Sequence, residues 1–112
     1  MKKLLSILLM LILTSAACAE GVPDNWYEVF VRSYQDSDGD GLGDLAGLTA
    51  RLDYIQEMGW RGLWLMPLMP SPSYHKYDVT DYYQVDPAFG SMEDLEELIA
   101  LCHARNVAIP ST

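Results

Sequence analysis

The chain has 112 residues, 50% hydrophobic and 21% charged, with seven Lys and Arg against sixteen Asp and Glu for a net charge of −9. A surface this acidic repels phosphate backbones and anionic lipid headgroups, which argues against nucleic acid as a partner and leaves neutral ligands and cations. The two cysteines and two histidines are scattered, so no spacing suits a zinc site.

The first nineteen residues read as a leader. Lys2 and Lys3 precede an apolar run from Leu4 to Leu13, broken only by Ser6, and a small neutral stretch from Thr14 to Ala19. That is the layout of a bacterial secretory signal, and the run is too short to span a bilayer. Ala17-Cys18-Ala19 fits an A-x-A cleavage site, which makes residues 1–19 the signal peptide and Glu20 the mature N-terminus. A rival reading makes Cys18 the lipid-anchored first residue of a lipoprotein, with Ser15 standing where Leu is usual. Either way the protein is expected outside the cytoplasm: extracellular, periplasmic or anchored to the cell envelope. Removing Lys2 and Lys3 with no acid takes the net charge from −9 to −11. Cleavage after Ala19 also leaves Cys102 alone, without an internal disulfide partner and at a helical spacing that suits a small core residue.

Residues 26–34, rich in aromatic and β-branched types, predict a strand. The Asp- and Gly-rich stretch 36–44 is a loop. From Leu45, apolar residues recur at Leu48, Leu52, Ile55 and Met58, which predicts one amphipathic helix stopped by Gly59. The unbroken apolar run from Gly62 to Pro67 predicts a strand buried on both faces of a parallel sheet. Residues 69–90 form a long loop of Ser, Pro, Tyr and Asp. Ser91 and Asp94 resemble a capping box, and Leu95, Leu98, Ile99 and Cys102 carry a second helix to about Asn106. A third strand starts at Val107.

Strand, helix, strand, helix, strand predicts an α/β fold of parallel βαβ units. A doubly wound sheet and an eight-fold barrel both continue that way. The glycine-rich phosphate fingerprint is missing after the first strand, which weakens the dinucleotide-binding version. Both long polar loops follow C-terminal strand ends, where barrel enzymes place their sites. A complete barrel needs roughly 250 residues, and Pro110 removes a ladder hydrogen bond from the third strand. Residues 20–112 are therefore expected to be a truncated part of a larger domain.

Asp36, Asp38, Asp40 and Asp44 occupy relative positions 1, 3, 5 and 9 of a tight loop, with Gly39, Gly41 and Gly43 between them. Carboxylates this dense repel unless a cation separates them. Hard oxygen ligands, with the Leu42 carbonyl at position 7, suit Ca²⁺, and Mg²⁺ is the second choice. Position 12 is Gly47 where an EF-hand needs a bidentate Glu, and a strand precedes the loop, so an EF-hand is disfavoured. The bland alternative is a solvated acidic loop that binds nothing.

Ser73 to Tyr83 crowds aromatic, imidazole and carboxylate groups beyond the second strand. Rings stack on the C–H faces of sugars, and Tyr and His also reach hydroxyls. Tyr82, Tyr83 and Phe89 are expected to pack the loop onto the domain, with Asp78 and Asp81 capping turns. For His75 and Tyr77, spacing alone does not choose between packing and sugar contact.

These pieces, in this order and spacing, resemble the α-amylase family, glycoside hydrolase family 13, over nearly all of residues 26–109. The resemblance rests on Arg32-Ser33-Tyr34-Gln35-Asp36, the loop to Asp44, Gly62 to Pro67, Tyr74-His75-Lys76-Tyr77, Asp78 to Tyr83, and Asp86-Pro-Ala-Phe-Gly90. It implies the N-terminal portion of a (β/α)8 TIM barrel and a structural Ca²⁺ on Asp36, Asp38, Asp40, the Leu42 carbonyl and Asp44. It further implies sugar contact by His75 and Tyr77, with Tyr77 as the stacking ring. Lys76 replaces the family's usual Gly. The substrate implied is a starch-like α-glucan or maltooligosaccharide, cut at α-1,4 bonds with retention. The family's nucleophile, acid/base and third carboxylate belong beyond the third strand, so no residue here is given a catalytic role. Alternatives are a transglycosylating or isomerising relative, and a small exported Ca²⁺- or glycan-binding module without catalysis.

Overall fold

The computed structural model describes residues 21–110. The predicted signal peptide, Cys18 and the cleavage site lie outside them. The elements run β1 (Trp26–Val29), a 3₁₀ turn (Val31–Ser33), α1 (Leu45–Ala50), α2 (Leu52–Glu57), β2 (Gly62–Leu65) and α3 (Met92–Ala104). β1 and β2 pair in parallel, with Trp26 opposite Gly62 and Val29 opposite Leu65. A single parallel bridge joins Gly62 to Ala108 on the other side of β2. The expected alternation is present, with departures at β1, at the first helix and at the third strand.

The first strand is shorter than predicted. It stops at Val29 because the chain curls, with the N–H of Ser33 donating to the Phe30 carbonyl at 3.0 Å. The acidic loop then folds back on this curl, and the Gly43 N–H donates to the Arg32 carbonyl at 2.8 Å. The third strand is reduced to the Ala108 bridge, whose N–H and carbonyl bond the Arg61 carbonyl and Leu63 N–H.

The predicted long helix is two short ones. At Arg51 the backbone turns to φ −100°, ψ 6°, ending α1 and starting α2. The break still leaves Leu45, Leu48, Leu52 and Ile55 fully buried on one side. Met58, expected in that stripe, is exposed instead. Gly59 at φ +88° ends α2, and the N–H of Trp60 reaches back to the Ile55 carbonyl at 3.3 Å, a Schellman closure. α3 begins with the predicted capping box: the Ser91 hydroxyl accepts the Asp94 N–H at 3.2 Å, and the Asp94 carboxylate accepts the Ser91 N–H at 2.8 Å. Asn106 at φ +55° closes its C-terminus.

Six-residue helices are too short to hold in water on propensity alone. Burial holds them. Val29 and Leu63 from the sheet, Leu45 to Ile55 from α1 and α2, and Leu98 and Cys102 from α3 form one core. Each fully buried Leu contributes about 2 kcal/mol. Cys102 is the expected small core residue, and burial pushes its thiol up to about 11. The second strand is buried on one face only. Trp64 is 50% exposed and meets Trp26 edge-on at 6.3 Å, above Gly62, where a Cβ would lie 2.4 Å from the Trp26 ring.

Candidate functional site

Two loops leave the C-terminal ends of β1 and β2 and touch each other. Phe30, just after β1, meets Tyr74 edge-to-face at 5.2 Å, and the Arg32 guanidinium lies 5.3 Å from the same ring. Farther on, the N–H of Leu45 donates to the Phe89 carbonyl at 2.9 Å, tying the start of α1 to the end of the second loop.

In the acidic loop, Asp36, Asp38 and Asp40 present oxygens within 4.8 Å of one another. A relay of Asx turns shapes it. Asp36 accepts N–H groups from Asp38, Gly39 and Gly41 at 2.8 to 3.1 Å, Asp38 accepts from Asp40, and Asp40 from Leu42 at 2.8 Å. Gly39 and Gly41 take φ +80° and +88°, a left-handed turn costly for other residues. Gly43 serves differently from the sequence reading: its φ is not positive, and a Cβ there would sit 2.0 Å from the Val31 carbonyl oxygen. It allows close approach, not turning.

The Gly41 N–H, together with those of Gly39 and Asp38, holds the Asp36 carboxyl below its ordinary range against the opposing effect of burial. Asp38 is raised: the Asp40 N–H lowers it, but partial burial and the carboxylates of Asp36 and Asp40 outweigh that. The set is a converging group of hard oxygens whose repulsion backbone N–H groups offset at Asp36 but not at Asp38, and it could hold a divalent cation.

Asp44 stands apart. It caps α1, with one oxygen accepting the Gly47 N–H at 2.7 Å and the other the Ser37 N–H at 3.0 Å. Those bonds keep its carboxyl low although burial pushes the other way. Leu42, the predicted carbonyl ligand, is half-buried and gives its N–H to Asp40. Of the four predicted carboxylates the structure gathers Asp36, Asp38 and Asp40, while Asp44 caps α1.

In the second loop, the rings of His75 and Tyr77 lie 5.9 Å apart, tilted by 34°. Both side chains are exposed, Tyr77 by 60%. The Tyr77 N–H donates to His75 Nδ1 at 3.1 Å. Nδ1 therefore carries a lone pair, and Nε2–H is the imidazole's available donor. Asp78 accepts the hydroxyls of Ser71, at 2.6 Å, and of Ser73, and these bonds hold its carboxyl low. Asp81 caps a turn by accepting the Tyr83 N–H at 2.9 Å. Tyr82 and Tyr83 do not pack the loop down as expected; they are 71% and 90% exposed, and Phe89 alone is buried. The loop is pinned elsewhere, at a pair the sequence reading did not find.

Lys76 sits at φ +68°, the conformation a glycine would take, yet its side chain is buried. Its ammonium lies 2.6 Å from Asp86 Oδ2, donates to the Ser71 carbonyl at 3.2 Å and lies 5.7 Å from the Phe89 ring centre. Burial raises the Asp86 carboxyl, but the Lys76 ammonium, the Ala88 N–H and the charge of Arg32 together bring it below its ordinary range. The signal that could have found this pair is compositional: Lys76 is the only Lys or Arg between Arg61 and Arg105.

An apolar groove of about 460 Å³ runs beside β2, lined by residues such as Leu65, Met69, Leu95 and Ile99. Its lining holds no carboxylate or imidazole.

The model of the α-amylase catalytic domain matches residues 28–110. Alpha-amylase 3 of Dictyoglomus thermophilum is 48% identical over 109 residues, covering 92% of this chain and 22% of that protein. The probable oligo-1,6-glucosidase 2 of Bacillus subtilis is 43% identical over 84 residues, 74% of this chain and 15% of that protein. Among solved structures, Amy13B of Eubacterium rectale superposes with a TM-score of 0.74 at 57% identity, over 75% of this chain and 16% of that one. The chain thus spans about a fifth, or less, of the relatives it matches. Its strands and helices are the N-terminal portion of a (β/α)8 barrel, as in these enzymes. The chain belongs to the α-amylase catalytic-domain family, glycoside hydrolase family 13.

Proposed function

We propose that this chain supplies the metal loop and one sugar-binding wall of an exported glycoside hydrolase that cuts α-1,4 bonds in starch-like α-glucans or maltooligosaccharides with retention. The observation that carries the reading is the exposed His75–Tyr77 pair at the mouth of β2. Tyr77 would stack on a sugar ring and the neighbouring His75 would donate Nε2–H to a hydroxyl, the tautomer left by the Tyr77 N–H on Nδ1. Asp36, Asp38 and Asp40 would hold Ca²⁺, with Mg²⁺ as the second choice. The ion, when bound, supplies charge neutralisation and cross-links the loop at the root of β1. Retention requires two carboxyls about 5–5.5 Å apart across the bond, and we assign neither to this chain. The α-1,4 preference follows the amylase relative; a relative named for 1,6 bonds makes linkage the finer question. Export rests on the leader-like residues 1–19, and N-terminal sequencing of the mature protein tests it.

Calorimetric titration of the chain with maltotriose tests the sugar reading. Binding that is lost in His75→Ala and Tyr77→Ala supports it; binding unchanged by both overturns it. The same chain incubated with maltodextrin and Ca²⁺ should release no reducing sugar, and turnover above background would contradict the absence of catalytic carboxylates.

A further inference from the structure

We propose that Lys76 and Asp86 are the positioning pair of the sugar-binding loop, so that a buried side-chain anchor, and not a glycine-like turn, holds His75 and Tyr77 in register for substrate. The proposal rests on the sugar-binding reading of those two residues and adds the residues that set their geometry.

Lys76 lies between the two recognition residues and points the opposite way. His75 and Tyr77 are exposed, while the Lys76 side chain is 10% exposed and reaches inward to Asp86 at 2.6 Å. Its backbone at φ +68° places the flanking rings 5.9 Å apart on one side. A non-glycine residue there is strained, so something must hold it. The Asp86 anchor is itself well fixed. Its N–H donates to the Leu68 carbonyl at 2.7 Å, just beyond β2, and its Oδ1 accepts the Ala88 N–H at 2.9 Å. Phe89, in the same turn, lies beside the Lys76 ammonium and accepts the Leu45 N–H from α1. The loop is thereby referenced to both β2 and α1. The second ammonium hydrogen bond, to the Ser71 carbonyl, clamps the loop's entry to its middle. A buried ammonium with one carboxylate and one carbonyl partner cannot slide without leaving a charge unpaired, so the pair favours a single loop geometry.

The decisive variant is Lys76→Gly. Glycine suits φ +68° better than lysine, so a loop held by its turn would be unharmed or improved. The side-chain anchor predicts the reverse. In the full chain, K76G and Asp86→Asn should weaken maltotriose binding at least tenfold at a temperature where circular dichroism shows both still folded. Lys76→Arg should recover part of the loss. A sugar-free readout accompanies this. The Tyr77 amide, bonded to His75 Nδ1, should lose hydrogen-exchange protection and shift in the NMR spectrum of K76G and D86N. A purely stabilising ion pair would lower the melting temperature but leave the Tyr77 amide and the maltotriose affinity of the folded variants unchanged, and that result would overturn the proposal. Should the unaltered chain bind no maltotriose, the sugar reading fails, and the Tyr77 amide alone decides whether the pair positions the loop.

Discussion

Phe30 and Tyr74 meet edge-to-face at 5.2 Å, joining the segment that leaves β1 to the loop that leaves β2. With Arg32 on the same ring, this contact sets the spacing between the acidic loop and the His75–Tyr77 pair. Aromatic pairs of this geometry contribute about 0.5–1.5 kcal/mol beyond their buried area. A double-mutant cycle with Phe30→Leu and Tyr74→Leu, read by urea denaturation, should return a coupling energy in that range. Additive effects would mean the rings touch without holding the loops together.

Asp44 and Asp38 should separate cleanly. Asp44→Ala removes the α1 cap and should cost about 1 kcal/mol in the presence of a chelator, because the loss is of two backbone hydrogen bonds and not of an ion. Asp38→Asn should leave metal-free stability nearly unchanged and weaken Ca²⁺ binding. Thermal melts with EDTA and with Ca²⁺ distinguish the two. If D44A changes only the calcium-dependent increment, Asp44 is a ligand and its cap is incidental.

Gly43→Ala should be among the most damaging small substitutions in the chain. The added methyl meets the Val31 carbonyl oxygen at 2.0 Å, a backbone atom that cannot step aside. Overpacking of this kind costs about 1–3 kcal/mol. Gly39→Ala has open space and pays only the left-handed backbone penalty, about 1 kcal/mol. Urea midpoints should rank G43A below G39A.

Stability should fall at both ends of the pH scale. Asp86 and Asp44 have carboxyls held low in the folded state, so the unfolded chain binds more protons as acid is added. Their contribution is fully present above the unfolded value near 3.9 and is lost as pH falls below it through the folded values. At the other end, burial raises the Cys102 thiol from 9.0 to about 11, and burial with the Tyr27 hydroxyl raises Tyr34 from 10.0 to about 12. Those contributions are present below the unfolded values and are lost as pH rises through the folded ones. Urea midpoints measured with a chelator should be flat from about pH 5 to 8 and decline beyond either side. A decline already complete by pH 5 would contradict the carboxylate assignment.

Much of this was legible from residue pattern. The apolar spacing of Leu45, Leu48, Leu52 and Ile55, the Ser91–Asp94 box and the glycine stop at Gly59 are local signals, and the chain obeys them. What escaped the pattern is tertiary. β1 ends early in a 3₁₀ curl on which the acidic loop folds back, through a Gly43–Arg32 bond across eleven residues. Tyr82 and Tyr83 share the composition of packing residues yet project outward, since the Lys76–Asp86 pair, not an aromatic cluster, holds the loop down. The spacing marks Asp44 as a ligand position, and its cap on α1 is visible only with the helix that starts after it.

The most direct measurement is a crystal structure of the chain grown with Ca²⁺ and maltotriose. An ion is expected between Asp36, Asp38 and Asp40 at about 2.3–2.6 Å from their oxygens, with a glucose ring stacked on Tyr77 and a hydroxyl on His75 Nε2. Carboxylates splayed into solvent around no ion, together with a Tyr77 ring packed against protein, would contradict it.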